Sequence, residues 1–250
     1  MSATFSVESP EVFYYHELTT KPRTPIHSIS SSFTIRKNGG NIVHIFTRLP
    51  PTDPERLGDL QNRGWVRLGE PKCALTALLV SLPLMAVTAA LTLGIFTLFA
   101  AFSREDLGFA GPSFSLSFSI SLPLVLGILA VLVCHELSHL LFIPNVLRSD
   151  STGVGMTVLG AVVYTEEVLS RSRHLLISIA PFAIISVLVP IVLGIAGLLT
   201  PAFFVPILLN SLGSSVDLLI AMLVLTQVPA GASLVSNGRV TCWKEAGESG

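Results

Sequence analysis

Charge is what this chain is short of. Only 12% of its 250 residues are Asp, Glu, Lys or Arg, against about 25% in a soluble globular domain. Half of the residues are hydrophobic and the mean hydropathy is +0.71, so a soluble domain is excluded and an integral membrane protein is expected. Neither sign of charge predominates. Fifteen basic residues face sixteen acidic ones, the net charge is -1, and no basic run stands out, which removes nucleic acid as a partner. Cysteine is scarce as well. Cys73, Cys134 and Cys242 lie far apart with no Cys-x-x-Cys pair, so no disulfide framework is implied. Cys134 adjoins His135 but falls on another helix face, and it is expected as a small buried apolar residue. The first seventy or so residues hold no long apolar run, so no cleavable signal peptide is expected and the first span would act as an uncleaved signal-anchor.

Four long apolar stretches are present. They run over about residues 73–102, 122–143, 175–199 and 202–228, each long enough to cross the ~30 Å hydrocarbon layer as a helix of about 20 residues. The expected fold is therefore an all-α, polytopic membrane protein with about four transmembrane helices. Prolines punctuate every span: Pro83 in the first, Pro123 and Pro144 bracketing the second, Pro181 and Pro190 in the third, Pro206 in the fourth. Between spans two and three lies a connector of which residues 154–165 are β-like and punctuated by glycine. Residues 166–174 then return the chain to the membrane surface. The Ser/apolar alternation over 113–120 reads either as an extended segment or as the Ser-rich first turns of span two.

Two domains are expected. Residues 1–55 form a polar N-terminal arm, partly disordered or folded as a small hairpin. In that arm, residues 33–37 and 41–46 flank an Asn38-Gly39 turn signal. His16, His27 and His44 belong to this polar region and are read as solvated. Residues 56–250 form the membrane-embedded domain, with Trp65 and the basic residues before span one suited to the headgroup layer. Nine Lys and Arg residues precede span one, one follows it, three lie in the connector and two in the tail. The multi-pass chain is thus expected with both termini and the connector in the cytoplasm.

Within span two stands His135-Glu136-Leu137-Ser138-His139. On a helix this spacing places two imidazoles one turn apart on one face, where both can bind a single zinc ion. Glu136 can then serve as general base on zinc-bound water. Two His and one Glu are expensive inside a membrane, and metal ligation accounts for them. A catalytic zinc takes three protein ligands and keeps one open position. Asp217 is the leading third candidate, being the only acidic residue between Glu167 and Glu245 and lying mid-span. Asn210, Ser214 and Asp217 share one helix face, and the small Gly213 and Ser214 allow a close helix–helix approach. Asn210 is read as a substrate or oxyanion contact, with a helix–helix hydrogen bond as the equal alternative. Rival third ligands are Glu166, Glu167, His174 and Asp150.

Several elements occur in a telling order. Gly64-Trp65 precedes the long first span and His135-Glu136-x-x-His139, and Leu169-Ser170-Arg171-x-Arg173-His174 leads into Ala180-Pro181. Asn210-Ser211-Leu212-Gly213-Ser214-Ser215-Val216-Asp217 and the tail Asn237-Gly238-Arg239 close the series. Over about residues 57–245 the chain resembles the "putative zincin peptidase" membrane family, a set of small prokaryotic four-span proteins that is itself similar to the site-2 intramembrane metalloproteases. That resemblance implies zinc ligation by His135, His139 and Asp217 and acid/base catalysis by Glu136. It also implies cleavage within or near the membrane. Asp217 stands between Val216 and Leu218 rather than in the Leu-Asp-Gly setting usual for site-2 proteases.

The function expected from the sequence is that of a membrane-embedded, zinc-dependent endopeptidase working near the cytoplasmic side. Its partners would be the lipid bilayer and a membrane-bound protein or peptide substrate. A catalytically inactive membrane scaffold that keeps the zinc site is the second reading, and a metal transporter the third. The sequence fixes no oligomeric state and no substrate identity.

Overall fold

The computed structural model describes residues 32–36, 42–46, 51–99, 109–110, 113–114, 121–144, 152–157 and 160–245. Among them are four helical spans long and apolar enough to cross a membrane. The first is α2 (Ala74–Leu98). The second, α3 (Leu122–Phe142), rises about 32 Å at 1.5 Å per residue. The third is composite: α4 (Arg171–Pro181), a π-helical segment (Phe182–Leu188) and α5 (Val189–Ile195) follow one another without a break. The fourth opens with a 3₁₀ turn (Pro201–Phe203) and continues as α6 (Phe204–Gln227).

The ends of these helices follow from their sequences. Ser121 caps α3 by accepting from the Leu124 N–H, and Pro123 sits in the first turn, where a missing N–H costs nothing. Ser170 caps α4 through the Arg173 N–H. The third span therefore starts four residues earlier than its apolar run, which counts only the lipid-facing part. Pro181 and Pro190 do not end the span. The chain passes between them as a π-helix, a form that re-routes backbone hydrogen bonds and recurs at functional sites.

The fourth span is the most buried. α6 packs against α2, α3 and α4. Its contact with α2 carries hydroxyls rather than apolar side chains. Thr88 donates to the Ser211 carbonyl at 3.1 Å, and the Thr92 and Ser211 hydroxyls are bonded to each other. Ser211, Ser214 and Ser215 are fully buried, so this face gains close backbone approach from small residues. Gly213 does not contribute, contrary to expectation: it is exposed, with open space where a Cβ would stand. Large apolar side chains of α2 and α3, such as Leu79, Leu82, Leu126 and Leu129, point outward, as lipid contact requires.

Among the described residues, three small sheets accompany the bundle. β1 (Ser32–Arg36), β2 (Ile42–Phe46), β6 (Thr152–Thr157) and β7 (Gly160–Thr165) form one, in that order across the sheet. β6 and β7 are an antiparallel hairpin, in the stretch expected to be β-like, and β2 pairs with β6 in parallel. The N-terminal hairpin thus adds strands to the sheet that follows α3. β4 (Phe109–Ala110) pairs with β5 (Ser113–Phe114), so the Ser-rich stretch begins extended; residues 115–120 lie outside the described residues.

The third sheet, β3-β10-β9-β8, joins β3 (Val66–Arg67), β8 (Leu169–Ser170), β9 (Ser233–Asn237) and β10 (Val240–Lys244). It was not expected from the sequence, although Asn237-Gly238 between alternating apolar residues is a hairpin signal. Gly238 has φ 59° and packs its α-carbon on the backbone of Thr52, so only glycine fits the turn. Asn237 exchanges hydrogen bonds with Asp53, at 3.0 and 2.8 Å. Asp53 also caps α1 (Pro54–Asn62). Trp65 packs with Leu57 and Leu60 on Val235, Val240 and Cys242, so its ring belongs to a small core beside the bundle. One sheet thereby collects strands from before the first span, between the second and third, and after the fourth.

Candidate metal centre

The last two turns of α3 carry His135, Glu136 and His139, and the middle of α6 carries Asp217. One ligand atom from each of His135, His139 and Asp217 lies within 4.8 Å of the others. His135 Nε2 is 3.4 Å and His139 Nε2 3.8 Å from Asp217 Oδ2. The two rings sit edge to face with centroids 5.0 Å apart, as i, i+4 spacing on one helix dictates.

Hydrogen bonding on the far side of each ring fixes which nitrogen faces inward. His139 Nδ1 lies 2.9 Å from the Ile177 carbonyl. A carbonyl only accepts, so Nδ1 carries the proton and Nε2 presents its lone pair. His135 Nδ1 lies 3.0 Å from Asn210 Oδ1. The amide of Asn210 is oriented by its other end, where Nδ2 donates to the Pro181 carbonyl at 3.2 Å and the Ser186 hydroxyl at 2.9 Å. His135 is therefore protonated at Nδ1 as well. Zinc binds His nitrogen and carboxylate oxygen at about 2.0–2.2 Å, so ligand atoms at the corners of a tetrahedron stand roughly 3.4 Å apart. The donor set fits such an ion in type and in tautomer, the two His–Asp separations suit its spacing, and its outer hydrogen bonds are those metal-ligating histidines usually make.

Glu136 stands beside this cluster, 9% exposed. One of its carboxylate oxygens is buried with no hydrogen-bond partner, while the carboxylate takes a hydrogen bond from the Val163 N–H of β7. β7 is an outer strand of its sheet among the described residues, and this edge meets α3 where the general-base candidate lies.

Two arginines tie the ligand-bearing helices together at one end. Arg173 Nη1 donates to the Phe142 carbonyl, at 3.0 Å, at the end of α3. Arg171 Nη2 donates to the Leu225 carbonyl, at 3.1 Å, near the end of α6. Cations suit helix C-termini, where carbonyls lack intrahelical donors. The first turn of α4 thus grips both helices, which explains the Arg171-x-Arg173 pair that spacing alone left without a role.

Other sequence-derived candidates fall elsewhere. Asn210 faces His135 and has its amide engaged at both ends, with a helix–helix hydrogen bond from α6 to α3. Glu166 is bonded to Arg56 and accepts from the Tyr164 hydroxyl at 2.7 Å, outside the cluster. That hydroxyl in turn accepts from the Gly238 N–H at 2.7 Å, and burial, followed by Glu166, pushes the phenol pKa up. His174 is not part of the cluster, and its buried Nε2 has no partner. Asp150 lies outside the described residues. Cys134 is exposed on α3 rather than buried, because the face opposite the histidines turns to lipid.

Residues 128–233 match a family model described as "Putative zincin peptidase". Over that stretch the chain is similar to this family. The matched stretch is a little under half of the chain, yet it contains His135, Glu136, His139, Asn210 and Asp217. The family description supports a zinc metallopeptidase and implies zinc as the metal. Comparison with curated proteins and with solved structures found no match.

Proposed function

We propose that this protein is a membrane-embedded zinc endopeptidase that cuts a membrane-bound protein or peptide within or near the bilayer, close to the cytoplasmic side. The observation that carries the reading is the convergence of two imidazole lone pairs and a carboxylate beside a buried glutamate with an unpaired oxygen. His135, His139 and Asp217 would hold the metal. A bound zinc ion would supply Lewis acidity, lowering the pKa of water and taking up negative charge on oxygen.

Glu136 does the proton work. Its free carboxylate oxygen accepts a proton from the attacking water as the water oxygen bonds to the scissile carbonyl carbon. It then gives that proton to the amide nitrogen as the C–N bond breaks. The products are a carboxylic acid and an amine, and Glu136 ends ionised as it began. Burial excludes bulk water from this exchange and strengthens each electrostatic contact within it. A helical substrate hides its carbonyls in its own hydrogen bonds and must be extended first. Pairing with the edge of β7 would lay an extended peptide beside Glu136.

The test is elemental analysis of detergent-purified protein together with a cleavage assay on reconstituted membrane substrates. Wild type and Glu136→Gln should hold about one zinc per chain, His139→Ala and Asp217→Ala should hold none, and only wild type should cleave. Well-folded wild type without zinc would remove the peptidase reading. Zinc-loaded protein in which Glu136→Gln changes no activity would leave a scaffold.

A further inference from the structure

We infer that Pro181 is a positioning residue for the metal centre: lacking an N–H, it leaves the Ile177 carbonyl to His139. In an unbroken α-helix the carbonyl of residue 177 is bonded by the N–H of residue 181. Proline has no such donor, and its ring crowds the carbonyl four residues back. In α4 that carbonyl instead meets His139 Nδ1 at 2.9 Å, across from α3. The same proline serves the other histidine from its opposite side. Its own carbonyl accepts from Asn210 Nδ2 at 3.2 Å, and Asn210 Oδ1 accepts from His135 Nδ1 at 3.0 Å. One residue of the third span therefore stands behind both imidazoles. It provides an unclaimed acceptor for one and orients the amide that holds the other.

Such outer hydrogen bonds set tautomer, ring orientation and ligand basicity, and their loss typically costs 10–100-fold in metal affinity. Giving residue 181 an N–H returns the Ile177 carbonyl to its helix and leaves His139 Nδ1 to compete for it. The inference rests on the reading that His135, His139 and Asp217 bind zinc, and the experiment keeps the two apart. Full-length protein in detergent is compared as wild type, Pro181→Ala, Pro181→Gly and Pro83→Ala. Zinc affinity is measured by chelator competition, cobalt(II) absorption reports the ligand geometry, and the unfolding midpoint is taken on metal-free protein.

Pro181→Ala and Pro181→Gly should bind zinc about 10–100-fold more weakly and show an altered cobalt spectrum, while metal-free Pro181→Ala unfolds no earlier than wild type. Pro83→Ala, the same change inside α2, should keep wild-type affinity. Wild-type zinc affinity in the two position-181 variants, or an equal loss in Pro83→Ala, overturns the role given to Pro181 and leaves the metal site standing. Failure of both position-181 variants to fold also overturns it, because the proline would then be structural. A wild type that binds no zinc overturns the metal reading and this inference with it.

Discussion

Asn210 is buried to 5% exposure and holds His135 from behind. Truncating it would strand the Nδ1–H of that largely buried ring without its acceptor, a penalty of about 1–3 kcal/mol. Asn210→Ala is therefore expected to weaken zinc binding by about 10–100-fold and to slow peptide cleavage through metal loss, with activity recovering at high zinc. A chelator titration read beside the zinc dependence of cleavage checks this. A residue acting on substrate would instead lose activity that added zinc does not restore. The three residues that converge here were legible from two facts, i, i+4 spacing in α3 and a lone acid amid an apolar run in α6. The partner of Asn210 was not. Its spacing from Ser214 and Asp217 fixes a helix face, but the partner that claims its oxygen lies 75 residues away, and local sequence carries no record of that.

Among the elements, the β6–β7 hairpin has the most specific placement. It follows the helix that bears the site, and its outer strand sends the Val163 N–H to Glu136. Deleting residues 154–163 should leave zinc content intact while abolishing cleavage. Elemental analysis and the reconstituted assay decide it, and unchanged cleavage would sink the idea that substrate pairs with this strand. The hairpin was readable from β-branched residues interrupted by glycine. The four-stranded sheet β3-β10-β9-β8 was not, because β3 and β8 are two residues each, too short for any periodicity. The third span shows the same limit. Hydrophobicity marks where lipid begins, whereas the start of α4 is set by the Ser170 cap and by arginines that reach the ends of α3 and α6.

At the scale of the whole molecule, pairing of β3 with β10, and of β9 with β8, gathers the segments that flank the four spans. Four crossings return the chain to its starting side, so this sheet and the spans agree with each other. From the distribution of Lys and Arg, that side is expected to face the cytoplasm. Protease protection of sealed, right-side-out vesicles should accordingly leave tags at both ends intact until detergent is added; digestion of either tag beforehand would reverse the orientation. The same sheet constrains the timing of synthesis. A ribosome delivers α3, with both histidines and Glu136, long before it delivers Asp217, and it makes the two central strands of the sheet, β9 and β10, only after every span has been synthesised. A growing chain thus holds two of three ligands and an unfinished sheet. The proposed peptidase centre would stay incomplete until the fourth span is made, a safeguard for the nascent membrane proteins being inserted beside it.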